Sequence, residues 1–364
     1  MRAIILSFVA IVVLASAEAP LVGQSNTPKP GDNVLTKFLD FADIHPVAQV
    51  GRLTVFPISI SRDNGPIRNV LTMAQALGRG VLVVEELSPP MVSQARFVNK
   101  SDKQFIFLMA GELVAGGRQN RTLRTDALLG PQSSTQLPLY CVEKGRWSGG
   151  GKFSSALGVA PQSIREQAAS GAGQDAVWAE VARANKRMKI STPSDDLNAA
   201  MTSPATTRRL RELRGKIIPR LPRGCVGIVV ASGSRIIGAD LFNSPELFSA
   251  MRQKVLDSYL SQYGLGPRIV KSIGPVKHPS PPVSQDQVQR YLRGCYDGRF
   301  VQGPLRGVGR VYYLRGQRSG QTLAYGEKHM VHTALSSPRI LPIRPAGMPR
   351  PRSRSDSYRR SESR

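Results

Sequence analysis

Between residues 53 and 143 the apolar positions come in short runs broken by polar residues, the pattern of successive strands. "LTVFPISI" at 53–60 and "VLVVEEL" at 81–87 read as strands, and "LTMAQALGRG" between them has helical spacing. In that helix Thr72 and Gln75 have the spacing of a capping box, and Gly78 or Gly80 supplies the stop. "ARFVNKSDKQFIFLMAG" sets two apolar runs around Asn99-Lys100-Ser101-Asp102 and predicts a hairpin. Extended segments follow at Thr122–Leu129 and Leu137–Glu143.

The middle of the chain changes period. "GQDAVWAEVARANKRM" at 173–188 places Val177, Trp178, Val181 and Ala182 on one helical face. "TTRRLRELRGKIIPR" predicts a second helix with a strongly basic face. Two β-branched runs around Ser232-Gly233-Ser234, in "GCVGIVVASGSRIIGADLF", predict a hairpin. The next helix is the best specified: Ser244 caps it, Pro245 opens it, and Leu247, Met251, Leu256 and Leu260 form its apolar stripe. A proline-rich loop at 275–282, a helix near 285–295 and a hairpin from "RVYYLRG" to "EKHMVHTAL" complete the folded part. Strands, inserted amphipathic helices and strands again imply an α+β fold of mostly antiparallel sheets and hairpins, in a single domain over 48–336.

The two ends read differently. Arg2, an apolar run from Ala3 to Ala15 and the small-x-small triplet Ala15-Ser16-Ala17 form a signal-peptide pattern over 1–17, with Glu18 as the expected first mature residue. That run is shorter than the roughly 20 residues a membrane span needs, so export to the periplasm or exterior is the expectation. Residues 18–47, rich in Pro, Gly, Ser and Asn, read as a linker in which only "NVLTKFLDF" is cohesive. The segment 337–364 carries eight arginines and five prolines with few large apolar residues, and reads as a disordered basic tail.

Charge narrows the partners. Lys and Arg number 50 against 25 Asp and Glu, a net +25, with eleven basic and three acidic side chains between Arg183 and Arg223. In an exported protein such a balance points to an anionic envelope surface or polymer, met by the basic helix and tail, rather than to specific nucleic acid. Cys141, Cys225 and Cys295 are an odd count that permits one disulfide, and their sequence does not say which would pair. Nor does the sequence set the oligomeric state. No P-loop, GxSxG or dinucleotide fingerprint occurs, and no cofactor is expected. Glu327, His329 and His332 have an E-x-H-x-x-H spacing, but on a strand the two histidines point to opposite faces, so no metal site is expected.

Candidate chemistry concentrates in "FLMAGELVAGGRQNR" (107–121) and "YCVEKGRW" (140–147). Glu112 and Glu143 among several arginines could form a general acid/base pair, or ion pairs that merely pin loops, and the spacing leaves both open. Arg118, Gln119, Asn120, Arg121, Arg146 and Trp147 are the ligand-binding candidates: guanidinium forks for anions, amides for hydroxyls, an indole as platform. Gly116 and Gly117 would allow a left-handed turn that aims the polar string at the second motif. Cys141 lies near Lys144 and Arg146 but near no histidine in sequence, and reads as a buried, inert thiol rather than a nucleophile.

These motifs, with "KFSS" after the second and the later "DLFNSPELF", resemble the ARG and rhodanese-phosphatase-superfamily-associated protein domain, a bacterial family of unknown function, over about 49–335. Glu112, Gly116, Gly117, Gln119, Asn120 and Arg121 match its first signature. Cys141, Glu143, Gly145, Arg146 and Trp147 match its second, Trp178 a helix tryptophan, and Asp240 to Phe248 a later phrase. The family name records associations with other domains and implies no activity. Arg118 stands where lysine is frequent and Asn120 where aspartate is common. Were that aspartate obligatory for catalysis, this copy would be inactive or would shift the role to Glu112 or Glu143. The expectation is a ligand-binding or interaction module at the envelope, with a hydrolase on a sugar or nucleotide-like substrate as the alternative, and a wholly structural cluster as the third reading.

Overall fold

A computed structural model of the chain describes residues 31–62, 65, 67–265, 281–316, 318–326 and 328–337, with the side chains of 154–157 excepted. The signal-peptide pattern, residues 18–30, most of the proline-rich loop, Glu327 and the basic tail beyond Ser337 lie outside the described residues.

The chain opens with α1 (Val34–Leu39), β1 (Ala42–Ile44), β2 (Ala48–Val50), β3 (Leu53–Ile60), β4 (Val70–Thr72), α2 (Met73–Gly78) and β5 (Leu82–Glu86). Strands β6 (Gln94–Asn99), β7 (Phe105–Leu108), β8 (Glu112–Gly116), β9 (Arg121–Leu123), β10 (Ala127–Leu129), β11 (Ser133–Cys141) and β12 (Lys152–Val159) follow. Next come α3 (Gln162–Ala169), α4 (Gln174–Met188), α5 (Leu197–Thr202), α6 (Pro204–Ile217), β13 (Cys225–Ser232), β14 (Arg235–Phe242) and α7 (Pro245–Tyr263). Helix α8 (Gln285–Arg293) and a meander of β15 (Arg299–Arg306), β16 (Gly309–Arg315), β17 (Ser319–Tyr325) and β18 (His329–Ser336) finish it.

The strands form three units: a closed barrel β11-β6-β5-β12-β8-β9, a small sheet β10-β7-β4, and a large sheet β1-β3-β13-β14-β18-β17-β16-β15 with β2 also on β3. Apart from the parallel β4–β7 pair, the pairing within these sheets is antiparallel, so the fold is α+β. Alternation along β13 puts Ile228 and Val230 into a core under α3–α7, and Val229 and Ala231 into a second core under α1 and α8. The barrel is filled by its own third core, including Leu82, Val84, Phe97, Val114, Leu123 and Phe153. No helix among the described residues is long and apolar enough to cross a membrane.

Several local expectations change. The segments around Asn99 do not form a hairpin: β6 pairs with β5 and β11 in the barrel, while β7 pairs with β10 and β4. Asn99 fastens the connection, its amide donating to the carbonyls of Gln104 and Gly130 at 2.7 Å each. The C-terminal "hairpin" is a meander, because β17 inserts between β16 and β18. Ala182 is exposed, and the buried stripe of α4 runs through Val177, Val181, Ala184 and Met188. The supposed linker is folded from Asn33 onward: Asn33 and Thr36 form a capping box, α1 buries Leu35 and Phe38, and β1 pairs with β3. Cys141, Cys225 and Cys295 are all buried free thiols.

A buried charge network joins the layers. Arg165 of α3 grips Asp240 of β14 through both terminal nitrogens, at 2.5 and 3.2 Å. His332 of β18 bridges Asp240, 3.1 Å away, and Asp126, 2.7 Å away. Tyr259 of α7 donates to Asp240 at 2.8 Å, and Asp126 accepts the Ala110 N–H at 2.7 Å. With each ring nitrogen facing a carboxylate oxygen, His332 is satisfied only as an imidazolium. Burial disfavours that charge, but Asp126 and Asp240 outweigh it and lift its pKa to about 9.

A folded-state pKa above the unfolded value of about 6.5 means this stabilisation is complete below pH about 6.5 and lost as pH rises through about 9. Melting curves should therefore show stability falling across that window by on the order of 3 kcal/mol. His332→Asn should cost about 3–5 kcal/mol at pH 6 and flatten the alkaline fall. A wild-type stability that stays level from pH 6 to 9 would contradict the assignment.

Candidate functional site

The first motif begins at a close contact. Gly111 has φ of 89°, and a Cβ there would sit 2.3 Å from Cγ of Arg165, so the glycine is the seat on which that arginine rests. Glu112, next along, is fully buried. One of its carboxylate oxygens accepts the Met109 N–H at 2.8 Å, and the other meets Nζ of Lys254 on α7. Beyond β8, Gly116 and Gly117 take φ of 111° and 58°. A Cβ on Gly117 would lie 2.7 Å from the Phe153 ring and 2.9 Å from Oε1 of Glu86, which only glycine tolerates. The chain turns there, and β9 carries Arg121 into the barrel end. Its guanidinium pairs with Glu86 at 2.8 Å, donates to the carbonyls of Met91 and Gln94, and lies 5.3 Å from the Phe153 ring centre.

The second motif closes on the first around Glu143. Its carboxylate accepts the Asn120 N–H at 3.0 Å, the Ser194 hydroxyl at 3.0 Å, and Nε of Arg146 at 2.9 Å to each oxygen. Arg146 Nη1 reaches back to the carbonyls of Gly117 and Ser148, at 2.9 and 2.6 Å. Gln119 donates to the Glu143 carbonyl at 3.1 Å. Asn120 accepts from the Gly116 N–H and gives its amide to Asp196, both at 3.0 Å. The result is a clasp in which each half of the motif pair holds the other's backbone.

Electrostatics follow from this packing. Burial pushes the Glu143 carboxyl up, but the hydrogen bonds from Arg146, Asn120 and Ser194 outweigh it and hold its pKa below the usual value. Asp196 goes the other way, raised by burial and by the neighbouring Glu143 charge. Burial raises the Cys141 thiol, whose sulfur donates to the Glu143 carbonyl at 3.1 Å, so the thiol is inert at neutral pH.

The structure divides the candidates into three groups. Glu112 belongs with Lys254 and Met109 and makes no pair with Glu143. Gln119, Asn120 and Arg121 are 6%, 7% and 0% exposed, with the two amide NH₂ groups and the terminal nitrogens of Arg121 turned to protein acceptors. The Arg121 guanidinium, paired with Glu86, is held inside the barrel end rather than at the surface. Arg118, Arg146 and Trp147 reach the surface. The Arg118 guanidinium lies 5.7 Å from the Trp147 ring centre, and the indole is 48% exposed. Lys144 stands over Trp178 at 5.3 Å beside them.

Other participants escaped the sequence reading. Glu86, Ser194, Asp196 and Lys254 lie 32 or more positions from the motif residues they hold, and no local spacing marks them. Arg165, Asp126, Asp240 and His332 meet across the chain, and of these only Asp240 and His332 lay in quoted phrases, neither read as part of an ion network. His332, first weighed as a metal ligand, is engaged by two carboxylates, and the described residues hold no group of three or more metal-ligating side chains. A cavity of about 40 Å³ beside Arg165, Asp240, Gln162 and Gln321 has room for water and little more.

The model for the ARG and Rhodanese-Phosphatase-superfamily-associated Protein domain matches residues 42–336. The chain belongs to this family. The match runs from β1 to the end of β18 and so takes in the barrel, the large sheet and both halves of the clasp. No curated protein and no solved structure matches the chain. In this member of the family Asn120 is fitted to its place: its NH₂ feeds Asp196, a bond that aspartate could not make.

Asn120→Asp would gather three carboxylates, at 120, 143 and 196, around the Arg146 guanidinium. It should destabilise the fold by about 1–3 kcal/mol at pH 7, with the deficit shrinking as Asp196 protonates on acidification. An Asn120→Asp protein as stable as the parent at pH 7 would refute that electrostatic account. For Glu143 the lowered pKa means stability is present above the unfolded value of about 4.3 and lost as pH falls through the folded value. Glu143→Gln should thus melt earlier than the parent at pH 7 and converge with it below pH about 4, as followed by circular dichroism.

Proposed function

We propose that the protein is an exported interaction module of the cell envelope that binds an anionic glycan or similar polymer at the surface carried by the clasp. The single observation behind this is the half-exposed Trp147 indole with the Arg118 guanidinium stacked over it. Exposed Lys144, Lys152 and a run of exposed glycines, Gly149–Gly151, flank Trp147 in sequence. An indole face suits the apolar face of a sugar ring, and the neighbouring cations suit its carboxylates or phosphates. Glu143 and Arg146 hold this surface in place from below.

Export rests on the N-terminal sequence pattern, and the anionic partner on the +25 charge. On α6, Arg208, Arg211, Lys216 and Arg220 just beyond it are exposed and add a second basic stripe. A hydrolytic role for Glu112 or Glu143 is the weaker reading, since both carboxylates are buried and bonded to protein donors. An acid/base group must reach the proton it transfers.

Titration of the full chain with polygalacturonate should give a salt-sensitive affinity. Trp147→Ala and Arg118→Ala should each weaken it about ten-fold, or ~1.4 kcal/mol, while leaving the melting temperature close to the parent's. Parent-like affinity in both variants would overturn the assignment of the site.

A further inference from the structure

A groove of about 800 Å³ lies away from the clasp, between the α1–β1 segment and α8. Its charge is opposite to that of the chain. Asp40, Asp43, Asp286 and Asp297 line it and all four are exposed, with Arg293 the one cation among the lining residues. Leu39, Ile44 and Leu292 give it apolar ground, and Tyr296 lies in it, hydrogen-bonded to Asp40 at 2.6 Å.

The chain itself supplies a complementary segment close by. Strand β18 ends at Ser336, and Ser337 lies beside the Tyr291 hydroxyl on α8, the helix that forms one wall of the groove. Beyond it run residues 338–364, which carry eight arginines against Asp356 and Glu362. At up to roughly 3.3 Å per residue, that length reaches well past a helix width.

We propose that this groove seats the chain's own C-terminal segment, residues 338–364, as an intramolecular dock for its arginines. Guanidinium groups find carboxylates spread over both walls, and the proline and aliphatic residues of "PRILPIRP" meet the apolar ground. Attachment beside α8 favours the segment of the same molecule over that of a second copy. A short tether raises its effective concentration to about 1 mM, so an intrinsic dissociation constant of about 0.1 mM suffices for ten-fold occupancy over release. Docked, the segment is withheld from external polyanions; released by salt or by a competing polyanion, it becomes available to them. This inference is independent of the Trp147 surface.

Trypsin reads the dock directly, because Arg352, Arg354, Arg359 and Arg360 are cleavable while Arg344 and Arg350 precede proline. In the intact chain at low salt, cleavage after these arginines, followed by mass spectrometry, should be about ten-fold slower than in a free peptide of residues 338–364. Combined Asp43→Asn, Asp286→Asn and Asp297→Asn changes, all at exposed positions, should restore the peptide's rate. So should about 1 M salt on the parent chain, where charges are screened beyond roughly 3 Å, and this arm needs no variant to fold. Equal rates for parent, triple variant and peptide at low salt would overturn the dock. Protection that grows with protein concentration would overturn it too, by assigning the groove to a second copy.

Discussion

Arg165, Asp240, His332 and Asp126 make one electrically neutral, fully enclosed chain, and the relative placement of the layers depends on it. Asp240 and His332 sit on adjacent strands of the large sheet, Arg165 comes from α3, and Asp126 leads into the small sheet. Apolar burial supplies the bulk of the stabilisation but tolerates many arrangements of the same surfaces. Two carboxylates and two cations out of reach of water tolerate one, since losing a partner strands a charge in the interior. The network therefore acts as a register for the fold more than as a source of net stability.

The clasp inherits its position from that register. Arg165 rests on Gly111 and donates from Nε to the Ala110 carbonyl, so the chain enters β8 from a fixed point. From there Glu112, the Gly116–Gly117 turn and Arg121 each meet a different support: Lys254 on α7, Phe153 on β12 and Glu86 on β5. What looked in one dimension like a crowd of reactive groups is a series of fixtures. Trp147, by contrast, stands half-exposed beside the Arg118 guanidinium.

Features set by neighbours in sequence were legible. The capping box at Thr72, the Ser244–Pro245 helix start and the two-residue β13–β14 turn all depend on contacts a few residues long. The convergence of the two motifs was legible through their shared polarity. Pairing between strands was not, because apolar runs flanking a polar turn fit a hairpin and a crossover equally well. Phe97 and Phe107 have the same local setting, yet one fills the barrel and the other packs against the large sheet. The partners of Glu112 and Arg121 were hidden for the same reason: Lys254 is 142 positions from Glu112, and Glu86 sits on a strand that reads only as apolar.

Charge in this protein thus falls into two populations with different physics. The pairs Arg165–Asp240, Arg121–Glu86 and Lys254–Glu112 are enclosed, and added salt screens them little. The excess of Arg and Lys is elsewhere: on the exposed face of α6 and in the loop that carries Trp147, where salt screens it strongly, and in the sequence beyond Ser337. Among the described acidic residues Glu112, Asp126, Glu143, Glu180, Asp196 and Asp240 are buried as partners, while the aspartates of the α1–α8 groove are among the exposed ones. A net charge of +25 is costly to a compact state unless the repulsion is spread or locally neutralised. In the dock proposed above, the acidic groove would neutralise the arginine-rich segment within the molecule, and an external polyanion would compete with it for the same cations.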